Sequence, residues 1–441
     1  MSATGAAATQ VVIAGGTPLR GRIRVPGDKS ISHRALLFAA LADGTSRVAH
    51  LSSGDDVART AALVDALGAR VRPLPGDELA VTVASPGVDG LREPCAVVDC
   101  GNSGTTMRLG LGMLAGRPFH AVLSGDDSLV RRPMARVADP LRAMGARVDG
   151  RDGGNFAPLA VRGGSLRGIH YELPVASAQV KSALVLAGLQ AAGTTELVEP
   201  APTRDHTERM LGAFGAPVDH DRDARTVRVA RGVPRAFELD VPGDPSSAAF
   251  FVVAACLAPG SDVVVEDVCL NPIRIAFVDV LVRMGADVET RVTGERAGEP
   301  VGEIRARTSE LRGVVVAGDE VPSLIDEIPV LAVAAAFADG VTEFHDAHEL
   351  RVKESDRIAT VQQELAQLGV AVEPRPDGML VRGGRPRAAT LKSHGDHRVA
   401  MAGAVAAVAI DGESTVRGWN AVAISYPAFA DDLVALGGSV A

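Results

Sequence analysis

Six segments of this chain share one pattern, in which a large apolar residue precedes a glycine and a valine follows that glycine three residues later. The glycines are Gly68, Gly145, Gly215, Gly285, Gly369 and Gly437, spaced 68 to 84 residues apart. Such spacing is longer than the roughly 20–50 residues of the common solenoid repeats, so it favours a closed fold built from several units. Each segment follows an Ala-rich helical stretch and a short Thr/Val strand, and strands that alternate with helices predict an α/β fold.

A short polar stretch opens the Ala-rich helix of every unit. The six stretches are PGDKSISHR (26–34), CGNSGTTMR (100–108), VASAQVKSA (175–183), PGDPSSAAF (242–250), IDEIPVLAV (325–333) and HGDHRVAMA (394–402). The N-terminus of a helix presents N–H groups that no turn of the helix satisfies, and it therefore favours anions. We expect the functional side chains at these equivalent openings and in the loops near them.

The tetrapeptide Val-Pro-Gly-Asp occurs twice, at 25–28 and 241–244, and it divides the units into two sets of three. We predict one three-unit domain over residues 26–241 and a second over residues 11–25 together with 242–441. Residues 1–10 are predicted to be a flexible tail. Two crossings close together predict a hinge with a cleft beside it. The alternative is that both Pro-Gly pairs are plain turns.

Composition narrows the class of protein. Hydrophobic residues make up 46% and aromatic residues 3%, which predicts two cores of aliphatic and small side chains. The net charge of −9 argues against nucleic acid as a partner. Apolar runs are interrupted by charge or glycine well before the length of a membrane span, so no membrane partner is expected. We expect a monomer, because the sequence shows no apolar heptads.

Cysteine usage and motifs limit location and cofactors. Four cysteines without a Cys-x-x-Cys spacing indicate reduced thiols in the cytoplasm. The first ten residues lack the basic and apolar regions of a signal peptide. Neither a phosphate-binding nucleotide loop, nor a dinucleotide fingerprint, nor a metal-ligand spacing is evident, so neither a cofactor nor a metal is predicted.

Lysine is rare among the basic residues. Of 45 lysines and arginines only Lys29, Lys181, Lys353 and Lys392 are lysine. A lysine ammonium is compact, whereas an arginine guanidinium is a planar fork. The four lysines are therefore candidates for places that need a compact cation, although so small a number is also compatible with chance.

Cations recur in the openings and loops of both halves. They are Lys29, Arg34, Arg132, Arg204, Arg357 and Arg398. If they converge, they require substrates with several negative charges, such as phosphates and carboxylates. Ser30, Ser177 and Gln179 suit the recognition of hydroxyl groups, and Gly104 allows the backbone to approach a ligand.

Two acids remain for proton transfer, Asp326 and Glu354. Asp326 precedes an apolar helix, so capping of that helix is its alternative role. Lys353 and Arg357 are four residues apart, and on a helix they would share one face.

In the order in which they occur, these motifs resemble the 5-enolpyruvylshikimate-3-phosphate synthases, a family of enolpyruvyl transferases also called 3-phosphoshikimate 1-carboxyvinyltransferases. The segments that carry the resemblance are PGDKSISHR, GNSGTTMR, RRPM, SAQVKSA, RDHTERM, RVKESDR and GDHR. The resemblance implies a two-domain inside-out α/β barrel with six βαβαββ units, three per domain. It also implies transfer of the enolpyruvyl group of phosphoenolpyruvate to the 5-hydroxyl of shikimate 3-phosphate, with release of phosphate, in the shikimate pathway.

The resemblance also implies residue roles. Asp326, Glu354 and Lys29 would be catalytic. Phosphoenolpyruvate would be held by Lys29, Gly104, Arg132, Gln179, Arg357 and Arg398. Shikimate 3-phosphate would be held by Lys29, Ser30, Arg34, Ser177, Ala178, Gln179, Arg204, Asp326 and Lys353.

Departures and alternatives stand beside this reading. Ile424 occupies a position where some members of the family carry lysine, and Ala178 and Glu349 stand where some carry Ser and Asn.

A UDP-N-acetylglucosamine enolpyruvyl transferase would have Asn in place of Ser30 and a cysteine in the loop GDDSLVRRPM (125–134). An RNA 3′-terminal phosphate cyclase, from another class, uses similar units, but six units and the net charge of −9 count against it.

Overall fold

The computed structural model describes residues 9–441, with the backbone alone described at Glu78. The six glycines of the repeated pattern all have positive φ values, between 79° and 114°, and each lies where a helix ends. Glycine adopts this left-handed conformation without a steric penalty, and the conformation ends a helix by satisfying its last carbonyl groups. The repeated pattern is therefore a helix stop, which explains its regular position in the units.

The chain divides into two compact units. Unit I comprises Gly27–Val241 and Glu295–Glu299, and unit II comprises the chain up to Pro26, Pro242–Gly294 and Pro300–Ala441. The sequence did not predict that Glu295–Glu299 belongs to unit I. This segment is the tip of a β-hairpin, and a tip that packs apart from its own sheet leaves no periodic signal in the sequence.

Across residues 9–441 the strands form six four-stranded sheets, three of them in unit I. The strands of unit I are β3 (Asp43–Ala49), β4 (Arg70–Leu74), β5 (Asp77–Pro86), β6 (Val98–Asp99), β7 (His120–Ser124), β8 (Arg147–Gly150), β9 (Phe156–Arg162), β10 (His170–Glu172), β11 (Thr194–Val198), β12 (Val218–Asp221), β13 (Thr226–Ala230) and β14 (Glu238–Asp240). Their orders are β14-β3-β5-β4, β6-β7-β9-β8 and β10-β11-β13-β12. In each sheet the first pair is parallel and the others are antiparallel.

The strands of unit II also form three sheets, each with a parallel pair at one edge. They are β1 (Gln10–Gly15), β2 (Arg20–Ile23), β15 (Asp262–Cys269), β16 (Asp287–Arg296), β17 (Glu299–Arg307), β18 (Val315–Val316), β19 (Val341–Phe344), β20 (Ala371–Arg375), β21 (Gly378–Arg382), β22 (Thr390–Lys392), β23 (Gly412–Arg417) and β24 (Ser439–Val440). The orders are β16-β17-β15-β2, β18-β19-β21-β20 and β22-β23-β1-β24. The predicted mixed α/β fold is confirmed.

Two helices accompany most sheets. Those of unit I are α1 (Lys29–Leu41), α2 (Asp55–Ala66), α3 (Gly104–Ala115), α4 (Ala135–Met144), the single turn α5 (Arg151–Gly154), α6 (Ala178–Gly188) and α7 (His206–Ala213). Those of unit II are α8 (Pro245–Leu257), α9 (Ala276–Arg283), α10 (Val321–Leu324), α11 (Ile328–Phe337), α12 (Arg357–Gln367), α13 (His397–Ala409) and α14 (Phe429–Ala435).

The helices that follow the polar openings are buried nearly all round. In unit I they are α1, α3 and α6, and in unit II they are α8, α11 and α13, which pack against one another. A helix that is apolar on every face belongs in the interior. The N-termini of these interior helices are therefore where polar side chains must be placed and paired.

Five of the six openings have a side chain that caps the helix. Asp28 accepts a hydrogen bond from the Ile31 amide and Asp244 one from the Ser246 amide, both at 2.8 Å. Ser103, Ser177 and Asp396 act likewise on α3, α6 and α13. A short polar cap satisfies an amide group that the helix itself cannot.

The core of unit II is not purely aliphatic. Phe250, Phe251, Trp419, Tyr426 and Phe429 form one aromatic cluster, with ring centroids 5.1–6.1 Å apart. Ala, Val and Leu still dominate the buried residues of this core, as composition predicts. The aromatic cluster joins α8 to residues 419–429, which are far apart in the sequence.

At the N-terminus, β1 begins at Gln10, whose partner in β23 is Arg417. Gln10 thus lies in a strand rather than in the predicted tail, since strand pairing supplies contacts that the polar sequence did not suggest. The remaining part of that prediction, residues 1–8, lies outside the described residues. Within residues 9–441 no helix is both long and apolar enough to cross a membrane.

Candidate active site

In unit I the opening of α3 gathers several predicted residues. Gly104 is the first residue of the helix, and a Cβ atom on it would lie 2.8 Å from Nη1 of Arg108 and 3.5 Å from Nη1 of Arg132. Gln179, on α6, accepts a hydrogen bond from Nη1 of Arg108 at 2.6 Å and donates one to Oγ1 of Thr105 at 2.9 Å. The structure thus brings the predicted Gly104, Arg132 and Gln179 together.

Arg132 also donates hydrogen bonds to neutral side chains. Its Nη2 donates to Oδ1 of Asn102 at 2.6 Å and to Oγ of Ser128 at 3.3 Å. Asn102 and Thr105 were not among the predicted site residues. The signal that could have found them is their position within GNSGTTMR, on either side of Gly104 at the start of the helix.

The opening of α1 supplies the second part of the unit I site. The ammonium of Lys29 forms an ion pair with the carboxylate of Asp56, at the first turn of α2. Arg34, one turn further along α1, is buried and donates to Thr207 Oγ1 and Ser182 Oγ at 2.7 Å and to the Ser30 carbonyl at 2.9 Å. These bonds tie α1 to α6 and α7.

Burial dominates the electrostatics of these side chains. It lowers the pKa of Arg34 to about 10, against the opposing charge of Glu208, so the guanidinium remains charged at neutral pH. Burial also lowers the pKa of the neighbouring His33 to about 3, so this imidazole is neutral there.

A chain of hydroxyl groups joins the openings of α1 and α3. Nδ1 of His33 lies 2.6 Å from Oγ1 of Thr60, which lies 2.7 Å from Oγ1 of Thr106. Thr106 in turn lies 2.8 Å from Oγ of Ser103, the cap of α3. The two openings are thereby held in a fixed relation within unit I.

The other predicted residues of unit I lie at the ends of α6 and α7. Ser177 caps α6 by accepting a hydrogen bond from the Val180 amide at 3.5 Å, and Ala178 is the first residue of that helix. Arg204 is half-buried in the segment between β11 and α7. Its charge acts on the Arg34 guanidinium, which places these two cations in one electrostatic environment.

In unit II all five predicted residues come together. Oδ1 of Asp326 lies 3.2 Å from Nη1 of Arg357 and 3.4 Å from the Lys353 ammonium. Glu354 Oε2 lies 2.7 Å from Nη2 of Arg357, and Nη1 of Arg398 donates to the carbonyl oxygen of Asp326 at 2.9 Å. Two candidate acids and three cations thus form one cluster.

Arg357 is the centre of this cluster, and it is fully buried. Besides Asp326 and Glu354, it meets Asp396, whose Oδ2 lies 2.8 Å from Nε of Arg357. Burial opposes the charged forms, yet these carboxylates raise the pKa of Arg357, and the guanidinium holds the pKa of Asp396 below its usual range. Asp396 was not among the predicted site residues, and it also caps α13.

The local structure around Lys353 differs from the helical alternative. A 3₁₀ turn covers His348–Val352, Lys353 is extended, and α12 begins only at Arg357. Lys353 and Arg357 therefore do not share a helix face, and the prediction of a common face is wrong. The extended backbone lets Lys353 and Glu354 bind different partners, Asp326 and Arg357.

Asp326 does not occupy the cap position of the following helix. That position belongs to Glu327, and no side chain caps α11 there. Glu327 instead accepts a hydrogen bond from the hydroxyl of Ser246, on α8, and lies 3.7 Å from Nη1 of Arg398. Ile424, where some relatives carry lysine, is half-buried at the end of the 3₁₀ turn Trp419–Ile424.

The fold and these two clusters define an α/β enzyme for anionic substrates, with cations at helix openings and two carboxylates available for proton transfer. The EPSP synthase (3-phosphoshikimate 1-carboxyvinyltransferase) family matches residues 13–433. The chain belongs to this family. It is an enolpyruvyl transferase of the shikimate pathway, acting on phosphoenolpyruvate and shikimate 3-phosphate.

Individual relatives agree over nearly the full length. The 3-phosphoshikimate 1-carboxyvinyltransferase of Synechococcus sp. (strain JA-3-3Ab) is 53% identical over 433 residues, 97% of each chain. The solved EPSP synthase of Acinetobacter baumannii is 40% identical with a TM-score of 0.87, covering 98% of this chain and 99% of that one. The enolpyruvyl transferase NikO of Streptomyces tendae, at 21% identity and a TM-score of 0.79 over 98% of both chains, shares the fold.

Proposed function

We propose that the two clusters together transfer the enolpyruvyl group of phosphoenolpyruvate to the 5-hydroxyl of shikimate 3-phosphate, by addition and then elimination through a tetrahedral intermediate. The observation that supports this mechanism best is the cluster of Asp326, Glu354 and Arg357, in which both acids lie on one guanidinium. Such a cluster provides proton donors and acceptors beside a cation that can take an anionic substrate.

Phosphoenolpyruvate requires cations for its phosphate and carboxylate. We assign this role to Lys29, Gly104, Arg132, Gln179, Arg357 and Arg398. The amide groups at the start of α3 and the guanidinium of Arg132 suit a phosphate oxygen. Because these groups are already held by Asn102, Ser128 and Thr105, little ordering remains for binding to impose.

Shikimate 3-phosphate offers a phosphate, a carboxylate and hydroxyl groups. We assign its binding to Lys29, Ser30, Arg34, Ser177, Ala178, Gln179, Arg204, Asp326 and Lys353. Arg34 and Arg204 supply charge, and the openings of α1 and α6 supply hydroxyl and amide groups. The residues assigned to this substrate belong to both units.

Proton transfer falls to Asp326, Glu354 and Lys29. In the addition, Asp326 takes the proton of the 5-hydroxyl, the 5-oxygen bonds to C2 of phosphoenolpyruvate, and Glu354 gives a proton to C3. In the elimination, Glu354 removes a proton from C3 as the bond from C2 to the phosphate oxygen breaks. Lys29 assists these proton transfers, and its ammonium also supports the charge of the phosphate.

Binding of phosphoenolpyruvate prepares Glu354 for the first step. Arg357 pairs with Glu354 without substrate, and an incoming anion competes for the same guanidinium. A carboxylate that loses its cationic partner takes up a proton more readily. Substrate binding thereby converts Glu354 from an ion-pair partner into a proton donor.

The finer architecture also belongs to this proposal. In each half of the chain, the three repeats together form an inside-out α/β barrel. The interior helices and the repeated order of strands in the sheets support this architecture. The crossings near Pro26 and Pro242 serve as a hinge beside a cleft. We further propose a cytoplasmic location, because the four cysteines are free thiols. We also propose a monomer, because the sequence has no apolar heptads.

One assay tests the reaction. Phosphate release from phosphoenolpyruvate is measured with shikimate 3-phosphate, with UDP-N-acetylglucosamine and without an acceptor. We expect release only with shikimate 3-phosphate. Release that depends on UDP-N-acetylglucosamine, or none with either acceptor, would overturn the proposal.

A further inference from the structure

Lys181 is the most deeply buried lysine of the chain, and the mechanism above does not use it. Its side chain, on α6, has no solvent exposure. The ammonium lies 2.9 Å from Oε2 of Glu199 and 2.8 Å from Oε1 of Glu208. Glu199 directly follows β11 and Glu208 lies in α7, so one ammonium joins three elements of unit I.

These contacts anchor the segment that carries Arg204. Residues 199–205 connect β11 to α7, and Arg204 lies near their end. Glu199 holds the start of the segment on Lys181, and Thr203, next to Arg204, donates its hydroxyl to the other oxygen of Glu199. Thr207, just beyond, accepts from Nε of Arg34 and lies 2.7 Å from Oγ of Ser182.

Lys181 is the cation in direct contact with two buried carboxylates. Glu199 and Glu208 are both buried, and a buried carboxylate without a cation is strongly destabilised. The charge of Glu208 acts on Arg34 as well as on Lys181. Burial disfavours the Lys181 ammonium, but Glu208 and Glu199 outweigh it and raise the pKa of Lys181 above its ordinary value.

We infer that Lys181 is a positioning residue for shikimate 3-phosphate: it fixes residues 199–205 so that Arg204 is presented beside Arg34, and it neutralises Glu208 so that the charge of Arg34 is left for the substrate. This inference rests on the proposed roles of Arg34 and Arg204. Lysine suits the place because a compact ammonium fits between two carboxylates in a site closed to solvent.

Three variants test this role against a purely structural one. Lys181→Met keeps the length of the side chain and removes the charge. Thr203→Val keeps the shape and removes the bond from the segment to Glu199. Lys392→Met is the matched control, because Lys392 is exposed on β22 in unit II. For each variant, kcat and the KM of both substrates are measured, together with the thermal unfolding midpoint.

We expect Lys181→Met to raise the KM for shikimate 3-phosphate by about tenfold or more, as the loss of a charge-assisted contact predicts, with a much smaller change in the KM for phosphoenolpyruvate. Thr203→Val should raise the same KM by roughly threefold to tenfold, the effect of one hydrogen bond, at a nearly unchanged unfolding midpoint. Lys392→Met should leave all three kinetic constants unchanged.

An equal rise of both KM values that follows the loss of stability would overturn the inference, as would a folded Thr203→Val protein with the parent KM for shikimate 3-phosphate. Should Lys181→Met fail to fold, Thr203→Val decides alone. Arg204→Ala distinguishes a failure of the proposed substrate site from a failure of the positioning role alone. If it leaves the KM for shikimate 3-phosphate unchanged, the proposed substrate site is wrong. If it raises that KM while Lys181→Met and Thr203→Val do not, only the positioning role is wrong.

Discussion

Three arginines of the unit I site and Arg357 of unit II are held by different kinds of partner. In unit I the hydrogen bonds of Arg34, Arg108 and Arg132 described above go to hydroxyl, amide and carbonyl groups. In unit II Arg357 meets three carboxylates. A guanidinium held by neutral dipoles keeps its field for a ligand, whereas one paired with carboxylates must exchange a partner when a ligand binds.

This difference suggests a division of labour. Unit I provides a cationic surface whose groups are fixed before the substrate arrives. Unit II provides acids whose protonation depends on whether Arg357 is occupied by them or by the substrate. Both lysines of unit I differ from these arginines, because Lys29 pairs with the carboxylate of Asp56 and Lys181 with those of Glu199 and Glu208.

The largest effect should come from the acids of unit II. Glu354→Gln keeps the shape and the contact with Arg357 but cannot exchange the proton, so we expect turnover to fall by about 10²–10⁴. Glu413→Gln, an exposed glutamate of the same unit, is the control and should keep full turnover. Steady-state phosphate release measures both. A Glu354→Gln protein with normal turnover would show that Glu354 takes no part in the proton transfer.

The next effect concerns stability. Arg357→Met leaves Asp396 and its neighbours without their buried cation, and we expect a loss of about 3–5 kcal/mol in the free energy of unfolding. Arg132→Met removes hydrogen bonds to Asn102 and Ser128, and we expect it mainly to raise the KM for phosphoenolpyruvate, with a smaller loss of stability than Arg357→Met. Urea unfolding and kinetics distinguish them, and equal losses of stability would erase the contrast between the units.

A third effect separates the units by pH. The neutral, buried His33 has a pKa of about 3, below its value in the unfolded chain, so the unfolded state binds the extra proton as the pH falls. We expect this histidine to cost about 2 kcal/mol of stability between pH 7 and pH 5. The pKa of Asp396 in unit II is lowered, so this group changes the stability only near and below the ordinary pKa of aspartate. In that range, protonation removes the negative charge that stabilises the folded state. Urea unfolding of the parent and of His33→Gln at both pH values measures the difference, and the same pH slope in both proteins would contradict it.

The smallest effect is that of a helix cap. Ser103→Ala removes the hydroxyl that caps α3 and should cost about 1 kcal/mol. Ser53→Ala, at an exposed serine of unit I, is the matched control and should be neutral. Since α11 in unit II lacks a side-chain cap at Glu327, Glu327→Gln should affect Arg398 and Ser246 rather than the helix end. Thermal unfolding of both variants measures the effect. A loss of stability in Ser53→Ala equal to that in Ser103→Ala would contradict it.

Much of the site was visible in the sequence, because its residues lie at helix openings and the openings repeat. Gly104, Gln179 and Arg132 could be grouped from such motifs, and so could Asp326 with Arg357. Asp56 could not, since nothing in DDVART (55–60) distinguishes a partner of Lys29 from a solvated acid. Asp396 could not be found either, because it is distant from Arg357 in the sequence, and Lys353 was misplaced on a helix because spacing alone does not show where a helix begins.

By itself the sequence determined the repeat, the helix stops at six glycines, the mixed α/β fold and the family of the chain, because these depend on local conformational preference and on ordered motifs. Only the tertiary structure decided which charges pair. Whether a cation meets a carboxylate, as Arg357 does, or a hydroxyl group, as Arg34 does, depends on side chains distant in sequence and on the burial that makes each pairing obligatory. That choice distinguishes the cationic surface of unit I from the acid cluster of unit II.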